Sequence, residues 1–407
     1  MSFYNSVTAS DNADGKGLTH NKKVKLVAAA VADELNYVKA SVSKMPQSEF
    51  KGKKYGKEYS VYLPDVGTVH EGLTASPDDI VEVEANIKLQ NFNTSCTLDA
   101  WNGLADIEDF KKEVAIPKGQ KLARTVAKEV IKDNVFKNMQ AVVGTASFGT
   151  LSDAAAALNE LAVSGEVISF MHPTVMGKIS AGGLANFISG QEAKEIYGRN
   201  YLGQYAGAEQ VQEPLLPTIT TPASCSASIT LVATEDSDGF EVVEKVTGSN
   251  LKAGLVFTTG GDLKIVDQSG IETDQDVAIV ILSVNGAGTE GRISPLRITV
   301  EGKGKGNPNA WVKAGTSTIT LTAALEASTT YWVGQVRTKD CMAYDSYKFE
   351  NLPGSENEDV STVGGVTVKM STYGDGTNLT KLVRLDCPFA SGIWDARSAV
   401  GIYVKKV

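Results

Sequence analysis

The chain is poor in the residues that most often carry chemistry. In 407 residues it has three histidines, His20, His70 and His172, and four cysteines, Cys96, Cys225, Cys341 and Cys387. No two histidines share a metal-ligand spacing and no Cys-x-x-Cys occurs, which argues against a zinc or dithiol site. The scattered thiols read as reduced cysteines, not a disulfide framework. His172 could serve Cys96 or Cys225 as a base, but no nucleophile elbow or comparable frame surrounds either thiol. Aromatic residues are 7% of the chain, few for a surface that stacks sugars or single-stranded bases. Lys and Arg number 39 against 48 Asp and Glu, a net charge of -9, which disfavours a protein that grips nucleic acid through phosphates. No apolar run approaches the ~18 residues of a membrane span. The opening Met-Ser-Phe-Tyr-Asn-Ser-Val-Thr lacks the basic start and apolar centre of a secretory leader. The glycine-rich stretches at 258–262 and 302–306 do not match a phosphate loop and read as turns. Glu71, Asp78 and Asp79 have no recognisable catalytic frame. The expectation is a non-enzymatic protein without metal or cofactor.

What the chain does have is pattern. Hydrophobic residues make up 42%, enough for real cores, and the length suits two to three domains of ~150 residues. From Val81 to Gln90 apolar and polar residues alternate without a break, the period of a strand with one buried face. A second strand pattern spans Lys57 to Leu63, and the turn-rich stretch 64–72 lies between. Together they predict a long two-stranded ribbon. Such a ribbon is marginal alone and leaves exposed edges, so it must lie on something. Its first limb is basic and its second begins acidic, which reads first as ordinary solvated charge and otherwise as docking onto a neighbouring subunit.

Residues 1–20 read as a polar arm. A helix is expected from Asn21 to about Lys44, with Leu26, Ala29, Ala30, Leu35 and Val38 on one face. The strongest helical pattern runs from Pro117 to Val143. It has ridges Leu122-Val126-Val130 and Ala123-Ala127-Ile131-Val135-Met139, a Gly144 stop and a length of about 40 Å. A helix over 151–163 with Ser152 as cap, a buried strand over 166–173, a helix over 175–188 and an irregular strand over 198–216 follow. From about Thr218 to Asp340 the chain turns Thr/Ser/Gly/Val-rich. Strand runs at 228–232, 239–246, 277–284, 293–300, 316–322 and 330–336 predict an all-β module, barrel or sandwich. The last run, 382–404, is strand-like with a turn near Ser391-Gly392.

Four stretches carry a family resemblance. The first is Ile168-Ser-Phe-Met-His-Pro-Thr-Val-Met-Gly-Lys-Ile179; the second is Gly198-Arg-Asn-Tyr-Leu-Gly-Gln-Tyr-Ala-Gly207 leading to Leu216-Pro217. The third is Leu251-Lys-Ala-Gly-Leu-Val-Phe-Thr-Thr-Gly-Gly261, with Leu255 where an acid is usual. The fourth is Leu382-Val-Arg-Leu-Asp386 with Gly392 and Asp395-Ala-Arg-Ser-Ala-Val400, which lacks the usual Pro and Glu after the arginine. In this order they resemble the major coat proteins of tailed bacteriophages with the Hong Kong 97-like fold, most of all the short-tailed-phage members with an inserted domain.

The resemblance implies an α+β fold with an N-terminal arm (1–48), an extended loop (49–95) and a peripheral domain (96–144) whose spine helix is 117–143. It implies an axial domain (145–220 and 346–385) interrupted by an inserted all-β domain (221–345), and closing strands of the peripheral domain (386–407). The function implied is self-assembly as hexamers and pentamers into an icosahedral shell around double-stranded DNA. The chain would be assembled in the bacterial host cytoplasm and end in the virion, with scaffolding and portal proteins as assembly partners, room for a decoration protein, and no membrane. Val61, Leu63, Val66, Val69, Val81, Val83, Ile87 and Leu89 would make inter-subunit contacts through the extended loop, and Lys22, Lys23 and Lys25 would face an acidic scaffold. No trio for a Lys–Asn cross-link is apparent. An encapsulin-like compartment shell and a β-rich phage adhesin or tail protein are the alternatives.

Overall fold

A computed structural model describes residues 20–33, 35–39, 58–63, 83–99, 111–161, 163, 165–183, 204–231, 240–303, 306–346, 356–361, 367–375 and 380–406. They divide into two compact units, one drawn from 1–59, 86–131 and 342–392, the other from 60–85, 132–341 and 393–407. The fold is α+β.

A six-stranded sheet runs in the order Glu58–Leu63, Val83–Asp99, Thr380–Ile393, Thr367–Asp375, Glu356–Ser361, with Met342–Asp345 also pairing to Thr380–Ile393; all but residues 60–63, 83–85 and 393 of it belong to the first unit. The ribbon is therefore present, but its second limb is longer than the alternation at 81–90 suggests. Val83–Asp99 has 17 residues, ~55 Å of chain at ~3.3 Å each. Its antiparallel register with Thr380–Ile393 runs from Leu89↔Ala390 to Asp99↔Thr380. Phe389 stacks with Phe92 and with Tyr344, ring centroids 5.9 Å apart in each pair. The first helix, His20–Asp33, packs on Glu356–Ser361 and Thr367–Asp375. Leu26, Ala29 and Ala30 are buried as expected, and so are Val24, Val27, Ala28 and Val31. Apolar residues at 24 and 26–31 leave little polar face over this stretch, so the helix is mostly buried, with Lys25 exposed.

The strongest predicted helix is real but shorter: it spans Ile116–Asn134, 19 residues and about 28 Å. Leu122, Ala123, Val126, Ala127, Val130 and Ile131 form its buried face. Gly119 lets the helix His20–Asp33 approach, since a Cβ there would sit 2.8 Å from Ala30 Cβ and 3.2 Å from the Val27 carbonyl oxygen. Asn134 ends the helix. Its backbone carbonyl accepts Gln335 Nε2 at 3.1 Å, and its Oδ1 accepts the Ile393 N–H at 2.8 Å. The first of these bonds takes a carbonyl that a further turn would have used; the second ties the Asn134 side chain to the start of the last segment. Gln140–Gly144 is instead an edge strand, parallel to Ala399–Lys405.

The second unit holds two sheets. The seven-stranded one runs Gln140–Gly144, Ala399–Lys405, Thr330–Thr338, Val167–Met171, Ala208–Gln212, Gln204–Tyr205, with Thr218–Thr220 also paired to Thr330–Thr338. The helix Phe148–Asn159 starts three residues earlier than expected because Ser147, not Ser152, caps it: Ser147 Oγ accepts Thr150 N–H at 3.3 Å. The helix Pro173–Gly183 follows Val167–Met171 directly. Leu151, Leu158, Val175, Met176 and Ile179 from the two helices cover Met171, Val336, Val400 and Ile402 of the sheet. Within 198–216 the described residues form a small hairpin, Gln204–Tyr205 and Ala208–Gln212, turned at Ala206 (φ 51) and Gly207 (φ 79). Two consecutive positive φ angles make the turn that matches strand twist.

The β module is a closed barrel. Glu290–Val300 pairs with Ala278–Val284 and, through the series Val256–Thr258, Thr318–Ala323, Ser226–Thr230 and Glu241–Ser249, meets itself again. Pro295, which cannot donate to a ladder, falls where the register with Glu241–Ser249 shifts, between Arg292 and Leu296. Ala310–Val312, Leu263–Val266 and Glu272–Asp276 extend the sheet beyond the barrel. The run 330–336, expected in the module, lies at the centre of the seven-stranded sheet instead. The break between the last two strands comes at Trp394-Asp395 and the short turn Ala396–Ser398, not at Ser391-Gly392, which continue the strand Thr380–Ile393.

Candidate functional site: assembly elements and buried polar anchors

The residues expected to meet a neighbouring subunit divide three ways. Val66, Val69 and Val81 lie outside the described residues. Val61 and Leu63 sit on Glu58–Leu63 and Val83 opens Val83–Asp99. Ile87 and Leu89 are already covered within their own unit, 3% and 1% exposed. Ile87 lies over Gly392, where an added Cβ would come within 3.0 Å of its side chain. Whatever a neighbour covers, these two side chains are part of the chain's own core. Of the lysines on His20–Asp33, Lys25 is exposed and Lys23 half-buried; the side chain of Lys22 lies outside the described residues.

The module's two ends are stitched together. Thr220 pairs with Thr330 and Thr218 with Trp332 across adjacent strands. The Thr221 N–H donates to the Thr329 carbonyl at 2.9 Å, and the Thr329 N–H to Thr221 Oγ1 at 2.9 Å. The chain thus leaves and re-enters the seven-stranded sheet at one point, with the barrel spliced in between. Met139, Leu161 and Ala396, from outside the barrel strands, join the cluster of Leu255, Phe257, Ile279, Ile281 and Leu296. Met139, expected on a helical ridge, has this role instead. Its carbonyl accepts the Ala278 N–H at 2.9 Å.

Arg397 is the second attachment. Its side chain is 2% exposed. Its Nε donates to both oxygens of Asp395 at 3.1 and 3.0 Å, its Nη1 to the Asp267 carbonyl at 2.6 Å, and its Nη2 to Asn307 Oδ1 at 3.1 Å. Arg297 Nε donates to the Asn307 carbonyl at 2.9 Å, and Gln268 Nε2 to Ser398 Oγ. Burial pushes the Asp395 carboxyl up, but Arg397 and Arg297 more than offset this and hold it below its ordinary value of 3.8. Burial, partly opposed by Asp395 and reinforced by Arg397, lowers Arg297 to about 10. The stretch Asp395-Ala-Arg-Ser was singled out by its likeness to a closing motif; that its arginine anchors the module was not legible. In the first unit, Arg384 and Asn91 Nδ2 converge on Asp386, at 2.9 Å in each case.

Burial raises all four thiols, Cys341 to about 11 and Cys387 to about 12, the opposite of an activated nucleophile. His172 stacks on Trp332 and its Nδ1 accepts the Thr174 N–H. Among the described residues no group of His, Cys, Asp and Glu could hold a metal, and no helix is long and apolar enough to cross a membrane. A cavity of about 190 Å3 at the foot of the barrel is lined by Leu255, Val256, Ala323 and Leu325, with Cys225 at its wall.

No family model and no curated protein matches the chain. Among solved structures it is similar to the capsid of Ralstonia phage GP4, at 8% identity and TM-score 0.46, covering 90% of this chain and 87% of that one. The capsid of cyanophage P-SCSP1u aligns at 10% identity and TM-score 0.44, covering 90% and 86%. A virus-like particle from Pyrococcus furiosus aligns at 7% identity and TM-score 0.38, covering 94% and 97%.

Proposed function

We propose that the chain is the major coat protein of a tailed bacteriophage, of the short-tailed type with an inserted domain. It would assemble as hexamers and pentamers into an icosahedral shell around double-stranded DNA. The observation that supports this reading best is the order of parts: a buried arm helix, a two-stranded ribbon, a long helix and a mixed sheet closed by the last strand. An all-β barrel is spliced into that sheet at a single stitched point. This order is what the sequence resemblance implies. In it the ribbon Glu58–Leu63/Val83–Asp99 lies across a neighbour, the lysines near the arm helix meet a scaffold, and the barrel makes lateral contacts. The net charge of -9 suits a wall that encloses DNA without adhering to it.

Negative-stain electron microscopy of the purified chain, alone and with its co-expressed scaffold, tests the reading. Closed shells, or rings of five and six, are expected; a discrete monomer or trimer under every condition would overturn it. Val61→Asp and Val83→Asp should abolish assembly and leave a soluble, folded chain, since a charge opposed to an apolar contact is costly only when the contact forms.

A further inference from the structure

His172 joins three segments. It lies between Val167–Met171 and Pro173–Gly183, and its carbonyl accepts the Val175 and Met176 N–H groups at 2.9 and 3.1 Å. Its Nδ1 accepts the Thr174 N–H at 3.2 Å. A ring nitrogen that accepts carries no proton, so the imidazole is neutral with its hydrogen on Nε2. The ring stacks on Trp332 of Thr330–Thr338, centroids 3.9 Å apart and planes 23° from parallel. The Lys406 ammonium lies 4.9 Å from the centroid of the same indole. The helix start, the central strand and Lys406 thus converge on one imidazole–indole stack.

We propose that His172 is an acid-sensitive latch: a proton taken from solvent by Nδ1 removes the acceptor for the Thr174 N–H and frees the first turn of Pro173–Gly183 from Trp332. The cation would sit at the positive end of the helix dipole, where it is disfavoured. The indole already receives one cation, Lys406, so an imidazolium stacked on it is repelled by that ammonium. Among the described residues, Lys406 is the charged group that faces the stack; its neighbour Lys405 is paired with Glu326. Burial first, and Lys406 second, lower the protonation of His172 below the ordinary 6.5. The sign follows: the latch is fully closed above about 6.5, and its contribution falls away as pH drops through the folded-state value. This device stands whether or not the chain builds shells.

The test is amide exchange at Thr174, Val175 and Met176 in the full-length chain, compared with His172→Asn, which keeps a capping acceptor but does not titrate. Equal rates are expected at about pH 7.5. At about pH 5 the wild-type amides should exchange several-fold faster than those of the variant. Equal rates at both pH values would overturn the proposal. A second measurement needs no variant: in NMR titration of the wild type, the Thr174 amide shift should follow the His172 ring with one midpoint below 6.5. A Thr174 amide that ignores the ring titration would equally overturn it.

Discussion

Replacing Arg397 by methionine would leave the Asp395 carboxylate buried with one partner fewer. Breaking a buried pair from one side costs about 3–5 kcal/mol. The pH dependence gives this a distinctive signature. In the wild type the Asp395 carboxyl is held low, so its contribution is present above the unfolded value of ~3.9 and lost as pH falls through the folded value. In Arg397→Met burial would dominate and raise that carboxyl, so the variant loses least at low pH. The expected result in urea unfolding is a deficit near pH 7 that shrinks towards pH 4; a deficit equal at both would show that Asp395 is not what Arg397 balances. Ile87 belongs to the same scale. Being 3% exposed within its own unit, Ile87→Asp should cost about 2–5 kcal/mol of folding stability. Val83→Asp should leave the thermal midpoint of the unassembled chain within a few degrees of wild type.

Between elements, Gly119 comes close to Ala30. Gly119→Val would force a branched side chain against Ala30 Cβ and the Val27 carbonyl, and overpacking of this kind costs about 1–3 kcal/mol. A lowered thermal midpoint is expected, and an unchanged one would mean the two helices can part without loss. The elements themselves were unevenly legible. Long periodic segments are legible: the ribbon, the spine helix, the arm helix and five of the module's strand runs. The spine helix stops short of its sequence pattern: Ile131, Val135, Met139 and Val143 keep a helical spacing past Asn134. What ends the helix is the meeting of Asn134 with Gln335 and Ile393, partners about 200 residues or more away in sequence. The run 330–336 reads as part of the module for a related reason. Alternation identifies a strand, but only pairing with Val167–Met171 and Ala399–Lys405 assigns it to a sheet. Val256–Thr258 and Ala310–Val312, three residues each, are too short for any period to register.

At the scale of the whole molecule, subunits that each carry a net charge of -9 repel one another before they bind. Salt shortens the reach of that repulsion to ~10 Å at 0.1 M. If the chain assembles as proposed, light scattering should show the concentration needed for assembly falling as salt is raised from about 0.05 to 0.3 M. A rise would mean that attractive ion pairs between subunits outweigh the net repulsion. The barrel's dependence on the rest of the chain can be read separately. Residues 222–328 expressed alone should fold, because the barrel closes on itself. They should melt below the intact chain, because Met139, Leu161, Ala396 and Arg397 are missing from the excised piece.

The stitched neck at Thr220 and Thr330 also makes the barrel a cassette. Neighbouring residues across an antiparallel pair stand about 4.5–5.5 Å apart, and many domains have ends nearly that close. A foreign domain of that kind could be plugged into the same socket without lengthening or twisting the host sheet. The graft would need its own cover for the apolar groups and the guanidinium that the native barrel now shields.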